Sequence, residues 1–381
     1  MVAKPIRTLV VDDSVFMRTI LKGALEKAPN IEVIGTAQNG NEALEKVAKL
    51  KPDVMTLDIE MPGLDGIGVL EKVMADSPMP IVMISTKTQE GAKLTFDALE
   101  LGAVDYVPKP LADKSASLQG FREAVVRAVE AAFQVNRKRL RPDGQKPLQR
   151  PNSTELDIEG RVIAIGISAG GPATLHKLIP VIPPGFPPIV ITQHMPADFT
   201  GPFAKRLDTA SQITVCEAKT GEKLEPGKLI LAAGDRHLRV IKRGGGLCAS
   251  LDDGPKVAGF RPSVDVLFES VAKTVGDGAI GLVMTGMGWD GAEGIRKLKA
   301  AGGKTLAQDQ ESSIVYGMPK AAAKTGCVDR VVSLAEIPAV LTRMLSADAK
   351  VGNPTETSPA GYHAGRWLRP PGGTILTPDK R

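Results

Sequence analysis

Two kinds of hydrophobic spacing alternate along the first third of the chain. Short apolar runs at Thr8–Val11, Ile31–Thr36, Val54–Leu57, Ile81–Ile84 and Val104–Val107 read as strands. Between them, apolar residues recur three and four apart, as in Met17-Ile20-Leu21-Leu25 and Ala43-Leu44-Val47-Ala48, which reads as helix. Five such alternations predict a parallel sheet covered by helices on both faces. A last helix, Leu118–Phe133, carries Phe121, Val125, Ala128, Val129 and Ala132 at helical spacing. The pattern then breaks. Asn136–Thr154 holds three prolines, six Lys/Arg and almost nothing apolar, so it cannot bury a core and is predicted to be a linker. A second β/α pattern starts at Arg161. Its strands are expected at Val162–Ile167, Ile189–Thr192, Leu229–Ala232, Leu238–Ile241 and Ile280–Met284, and a helical run, Ile337–Leu345, closes it. The expected fold class is α/β, with two doubly wound parallel-sheet domains: flavodoxin-like over 1–125 and Rossmann-like over 159–348. A basic segment, 126–158, joins them. From 349 to 381 the chain is rich in Pro, Gly, Thr and charge, and is expected to be a disordered tail with Tyr362 and Trp367 as its only large aromatic residues.

Composition narrows the class. The chain is 43% hydrophobic and 24% charged, which excludes a fully disordered or collagen-like polymer. No uninterrupted apolar run is long enough to span a bilayer. Asp12 and Asp13 directly follow the first apolar run, where a signal-peptide core would not carry them. Cys216, Cys248 and Cys327 are odd in number and widely spaced, fitting neither a disulfide framework nor a zinc site. A reducing, cytoplasmic setting is therefore expected. Charge is divided unevenly. Residues 1–125 hold 14 Lys/Arg against 18 Asp/Glu, and residues 161–348 hold 22 against 18. An acidic first domain and a basic second one favour mutual docking; an acidic partner of the second domain, or mere solubilising charge, stays open. The basic linker lacks an aromatic platform or a helix-turn-helix, so no nucleic-acid partner is expected. A monomer is the default.

Candidate chemistry collects at predicted strand ends. Asp12 and Asp13 follow the first strand, Asp58 ends the third, Ser85 ends the fourth and Lys109 follows the fifth. In a doubly wound sheet these positions share the carboxyl edge, where such folds bind ligands. Three carboxylates brought together repel one another unless a divalent cation sits between them, and oxygen-only ligands suit Mg²⁺. The motifs VDDS (11–14), LDIEMPGLDG (57–66) and YVPKP (106–110) resemble the receiver domain of two-component response regulators. That resemblance implies Asp58 as phospho-acceptor, and Asp12, Asp13 and Asp58 as Mg²⁺ ligands with the carbonyl of Glu60. It further implies Ser85 as the switching hydroxyl, Tyr106 as the switch aromatic, Lys109 as phosphate partner, and a cis bond between Lys109 and Pro110.

A second group of residues lies beyond the linker. Gly166-Ile167-Ser168-Ala169-Gly170-Gly171 ends a strand and opens a helix, a G-x-S-x-G turn of the kind that presents a nucleophile. His194 ends the strand Ile189–Gln193, and Asp290 follows another strand within TGMGWDG. The order Ser, His, Asp is not that of α/β-hydrolases, but such triads are defined by geometry and role. A phosphate-cradling loop is the rival reading; no Lys follows Gly171 in P-loop spacing and G-x-G-x-x-G is absent. His176 falls on the following helix, His237 in a predicted turn and His363 in the tail. The motifs IGISAGGP (165–172), QHMPADFT (193–200), RPSVDVLF (261–268), MTGMGWDGA (284–292) and YGMPKAA (316–322) resemble the catalytic domain of CheB-type protein-glutamate methylesterases. Members often carry Thr or Ser after the nucleophile, where this chain has Ala169.

The resemblance implies phosphorylation-regulated hydrolysis of glutamate methyl esters on methyl-accepting chemotaxis receptors, with glutamine deamidation as the parallel reaction. Ser168, His194 and Asp290 would be catalytic, and the Met287 N–H, with others of the glycine-rich turn, would hold the oxyanion. No cofactor is expected for the esterase, and a CheA-type histidine kinase is the implied phosphodonor. Two alternatives remain: a response regulator whose degenerate hydrolase acts by binding, and an esterase serving a non-chemotactic sensory array.

Overall fold

In a computed structural model of the chain, residues 4–110, 115–135, 140, 148–151 and 156–346 are described. The tail, and most of the predicted linker, lie outside the described residues. The first sheet comprises β1 (Ile6–Val11), β2 (Ile31–Ala37), β3 (Val54–Asp58), β4 (Ile81–Ser85) and β5 (Asp105–Pro108). They are parallel in the order β2-β1-β3-β4-β5. Helices α1 (Val15–Leu25), α2 (Gly40–Leu50), α3 (Gly66–Asp76), α4 (Gln89–Glu100) and α5 (Ser115–Phe133) follow the strands in turn. Polar residues start four of them. Ser14, Asn39, Asp65 and Thr88 accept from the N–H of Met17, Glu42, Gly68 and Gly91, satisfying first-turn donors that the helix leaves open. Every residue of β3 and β4 is buried, as a strand covered on both faces requires.

The second sheet has seven parallel strands in the order β14-β13-β12-β6-β7-β9-β8. These are β6 (Val162–Ile167), β7 (Ile189–Gln193), β8 (Thr214–Glu217), β9 (Lys228–Leu231), β12 (Ala279–Val283), β13 (Lys304–Gln308) and β14 (Arg330–Val332). The helices are α6 (Gly171–Leu178), α7 (Ala197–Ala210), α8 (Val264–Val275), α9 (Ala292–Ala300), α10 (Met318–Lys324) and α11 (Ile337–Leu345). The central β6 has β7 on one side and β12 on the other. The chain thus winds away in both directions from β6, which creates the crevice typical of such sheets at its carboxyl edge.

Three expectations need correcting. The run Leu238–Ile241 belongs not to the parallel sheet but to an antiparallel hairpin of β10 (His237–Arg243) and β11 (Gly246–Asp252). Its two-residue turn is Gly244-Gly245 with φ of +59° and +80°, the geometry a tight hairpin needs and glycine permits. Strands β8, β13 and β14 were not foreseen, because each is short and mixes Thr, Gln, Glu or Arg into a brief apolar run. The Lys109–Pro110 bond is trans; among the described residues the only cis bond is Arg261–Pro262. Proline lowers the trans preference without removing it, so the motif alone does not set the isomer.

Candidate active site and phospho-acceptor site

In the first sheet, β1, β3, β4 and β5 bring Asp12, Asp58, Ser85 and Lys109 to one edge. Lys109 Nζ donates to Asp58 Oδ2 at 2.7 Å and lies 3.2 Å from Asp12 Oδ2. Carboxylate oxygens of Asp12, Asp13 and Asp58 all fall within 4.8 Å of one another. Asp12 and Asp58 are buried and Asp13 is exposed. Burial pushes Asp58 up to about 6, against the Lys109 hydrogen bond, and the Asp12 charge adds to the rise. Burial raises Asp12 as well, against the Lys109 charge. Burial opposes the charge on Lys109, but its bond to Asp58 and the two carboxylates hold it above its ordinary range. Asp12 Oδ2 and Asp58 Oδ1 are buried and accept no aligned hydrogen bond within the described structure. Asp58 Oδ1, buried without a partner among the described residues, together with the nearby carboxylates of Asp12 and Asp13 fits a small hard cation. Glu60 follows two residues beyond Asp58, the last residue of β3. Ser85 Oγ is turned toward α4, 2.6 Å from Thr95 Oγ1. Tyr106 is buried, and its hydroxyl has no partner among the described residues.

In the second sheet, Ser168 follows β6, His194 follows β7 and Asp290 follows β12, so the three meet where the strand order reverses. His194 Nδ1 lies 3.1 Å from Ser168 Oγ, and Nε2 lies 2.7 Å from Asp290 Oδ2. Asp290 is 1% exposed, which makes its charge state decisive. Burial opposes ionisation there, but the bonds from His194 and from the N–H groups of Asp265 and Val264 prevail and hold Asp290 below the usual carboxylate range. An ionised Asp290 only accepts, so Nε2 carries the proton and Nδ1 faces Ser168 as an acceptor. The ring of Phe260 stacks on His194 with centroids 3.8 Å apart and planes 4° from parallel.

The serine turn is clamped from all sides. Ser168 N–H donates to the Thr285 carbonyl (2.9 Å), Gln193 Nε2 to the Ser168 carbonyl (3.0 Å), and Thr285 Oγ1 to the Ala169 carbonyl (2.9 Å). Gly170 has φ +73°, and a Cβ there would lie 2.6 Å from Ile314. A Cβ on Gly286 would lie 2.7 Å from the Ser168 Cβ, so the backbone leading to Met287 is pressed against the serine. The Met287 N–H has no hydrogen-bond partner among the described residues. His237 stands apart from the relay. It is buried, 2.9 Å from the Pro255 carbonyl through Nε2, and accepts from Ser263 N–H through Nδ1.

Five residues here carry no prediction from sequence: Gln193, Phe260, Ser263, Asp265 and Thr285. Ser263 and Asp265 had a readable signal, since Ser followed by an acid in the first turn marks a helix start. Nothing local pointed to their partner 25 to 27 residues on.

The two halves touch through α4 and β5 of the first and α6 and α7 of the second. Phe96 and Tyr106 meet Phe199 and Phe203 in a ring cluster with centroids 4.6–6.3 Å apart. Around it, Arg206 pairs with Asp97 and Glu100, His176 Nδ1 lies 3.1 Å from Glu100 Oε1, and Lys87 lies 3.7 Å from Asp198. Acids on the first half meet bases on the second, as the charge division suggested, with Lys87–Asp198 running the other way.

A receiver-type acidic edge joined to a serine–histidine–aspartate relay defines a response regulator whose output is a hydrolase. The CheB methylesterase family model matches residues 163–341, and the response regulator receiver domain model matches residues 8–118. A protein-glutamate methylesterase/protein-glutamine glutaminase of Pyrococcus abyssi is 43% identical over 92% of this chain and 96% of its own length. A protein of Caulobacter vibrioides with the same name, numbered 1, is 48% identical over 90% and 98%. The catalytic domain of Thermotoga maritima CheB methylesterase is 40% identical, covering 49% of this chain and all of its own, with a TM-score of 0.48. The chain belongs to the CheB family of protein-glutamate methylesterases/protein-glutamine glutaminases, hydrolases that carry a receiver domain.

Proposed function

We propose that the protein removes methyl groups from γ-glutamyl methyl esters of methyl-accepting chemotaxis receptors, and deamidates receptor glutamines, with Ser168 as nucleophile. The observation that carries this is the continuous relay from Ser168 Oγ through His194 to the buried Asp290. Ser168 attacks the ester carbonyl while His194 Nδ1 takes its proton. Asp290 keeps Nε2 protonated and stabilises the imidazolium that forms. The tetrahedral oxyanion is received by the free Met287 N–H and by N–H groups of the glycine-rich turn, a contribution typically worth about 10²–10³ in rate. The imidazolium then protonates departing methanol, and water, activated by the same nitrogen, releases the glutamate. Attack on a side-chain amide follows the same path with ammonia leaving. The orientation is inverted relative to the familiar serine proteases, whose imidazole offers Nε2 to serine; either nitrogen serves, provided the other holds the proton against a carboxylate.

Control is assigned to the first half. A CheA-type histidine kinase supplies the phosphoryl group to Asp58. Asp12, Asp13 and Asp58, with the Glu60 carbonyl, would hold Mg²⁺, which when bound offsets carboxylate and phosphoryl charge. Lys109 stays beside the acceptor as a fixed positive charge. A phosphorylated Asp58 carries about two negative charges on its phosphoryl oxygens in place of the carboxylate's one, and these new acceptors draw the Ser85 hydroxyl away from Thr95. The loop after Ser85 carries Lys87, the partner of Asp198 in the first turn of α7, four residues beyond His194. Movement of this loop and of Tyr106 therefore acts on the docked face and shifts the population toward an accessible Ser168. The cytoplasm is the setting that supplies both receptors' signalling domains and the kinase, and no described helix is long and apolar enough to cross a membrane.

The test is methanol release from methylated receptor membranes, with and without a small phosphodonor. Wild type is expected to release methanol faster with the donor, and Ser168→Ala to release none in either condition. Turnover that survives Ser168→Ala refutes the reading.

A further inference from the structure

Outside the relay, the most organised group of unused polar side chains is an exchange of carboxylates between two helix N-termini. Asp290 precedes α9, yet its carboxylate lies at the start of α8. Oδ1 accepts from Ser263 Oγ (2.8 Å) and Asp265 N–H (3.0 Å), and Oδ2 accepts from Val264 N–H (2.7 Å) as well as His194. Asp265 lies in the first turn of α8, yet its carboxylate serves the start of α9: Oδ1 accepts from Gly291 N–H (2.9 Å) and Gly294 N–H (2.7 Å). Gly291 stands at the N-cap of α9 with φ +99° and has no side chain to cap it. Asp265 supplies that missing cap from the neighbouring helix. A Cβ on Gly294 would lie 3.2 Å from Asp265 Oδ1 and 2.6 Å from Phe268 Cβ, so glycine leaves the approach open.

We propose that Asp265 is a positioning residue for hydrolysis, fixing the turn that carries Asp290 and thereby the Asp290–His194 contact. The inference rests on the relay reading above. Its physical basis is local. The Gly291 N–H belongs to the peptide plane attached to the Asp290 Cα. Holding that N–H fixes Asp290 ψ, and the three donors at the start of α8 then fix its side-chain torsions. Asp265 takes part in both, giving its own N–H to Asp290 and receiving the next N–H along the chain. An ordinary helix cap would stabilise α9 without touching the carboxylate of Asp290; this one closes a ring with it. Burial, resisted by the two N–H donors and aided by the Asp290 charge, pushes Asp265 up to about 6.

The test uses the full-length protein with a phosphodonor, methylated receptor membranes, and kcat and KM read separately. Asp265→Ala is expected to lower kcat about 10²-fold, the usual cost of a misplaced catalytic group, with KM within about twofold. Asp265→Asn is expected to recover most of that loss, since its amide oxygen accepts the same two N–H groups. In an Asp290→Asn background, Asp265→Ala is expected to add less than about twofold, because the contact it positions is already gone. Three results overturn the proposal: wild-type kcat in Asp265→Ala, the same fold loss with and without Asp290, or an Asn variant as slow as the Ala variant. If Asp265→Ala does not fold, Asp265→Glu, which displaces the acceptor by one methylene, carries the same comparison. Ser168→Ala run alongside tests the underlying reading separately: turnover there sinks the relay, whatever Asp265 does.

Discussion

Removing Glu100 should loosen the hold of the receiver on the hydrolase while leaving the residues of both active edges in place. The carboxylate of Glu100 takes Arg206 Nε at 2.9 Å and His176 Nδ1 at 3.1 Å across the junction. Its side chain is 35% exposed, so solvent screens these pairs and each is worth only about 0.2–1 kcal/mol. Arg206 keeps Asp97 at 2.8 Å, and the Phe96, Tyr106, Phe199 and Phe203 cluster remains, so the junction weakens without dissolving. A net loss of about 1 kcal/mol changes the docked-to-open ratio about fivefold. If the docked form predominates without phosphate, Glu100→Ala should show phosphodonor-independent methanol release raised about fivefold. The maximal rate with phosphodonor should be unchanged, because the relay is untouched. The assay is initial-rate methanol release on receptor membranes across a phosphodonor titration. Unchanged basal release together with a lowered maximum would refute the reasoning, since it would make the junction a support for the active form.

Two further outcomes are expected. Phe260→Ala removes the ring stacked on His194, and with it a face that stabilises the imidazolium by about 0.5–1 kcal/mol; kcat should fall about 2- to 5-fold, and Phe260→Tyr should restore it, both read from steady-state methanol release. Asp105 is pushed up to about 6 by burial, against its bond from Tyr106 N–H, while the unfolded chain ionises nearer 3.8. Between those values the folded state holds the extra proton, so this residue costs stability that is fully felt above about pH 6 and vanishes below about pH 4. Asp105→Asn should therefore raise unfolding free energy by about 1–2 kcal/mol at pH 7.5 and leave it nearly unchanged at pH 3, as read by urea titration.

Both halves were legible as β/α alternations because their central strands are continuous Val/Ile/Leu runs, which only a doubly covered sheet demands. Among the strands that escaped notice, β13 carries polar side chains into buried positions, while β8 and β14 are short and mostly exposed or half-buried. In β13, Thr305 and Gln308 are buried because their hydrogen bonds are met by Asp329, Cys327 and Ser312. Strand ends were equally legible, and the structure does bring Ser168, His194 and Asp290 together, as it does Asp12, Asp58 and Lys109. The isomer at Pro110 was not, since its motif admits either. Nor was the aromatic junction: nothing in the spacing of Phe199 and Phe203, four apart on α7, says that they face Phe96 and Tyr106.

Helix α6 is eight residues long, or about 12 Å, and it begins three residues after Ser168 while His176 near its far end meets Glu100. Anyone grafting a foreign sensor onto this hydrolase inherits that arrangement. A replacement module would have to recreate an acidic partner for His176 and Arg206, or α6 would be left with one end serving chemistry and the other bare.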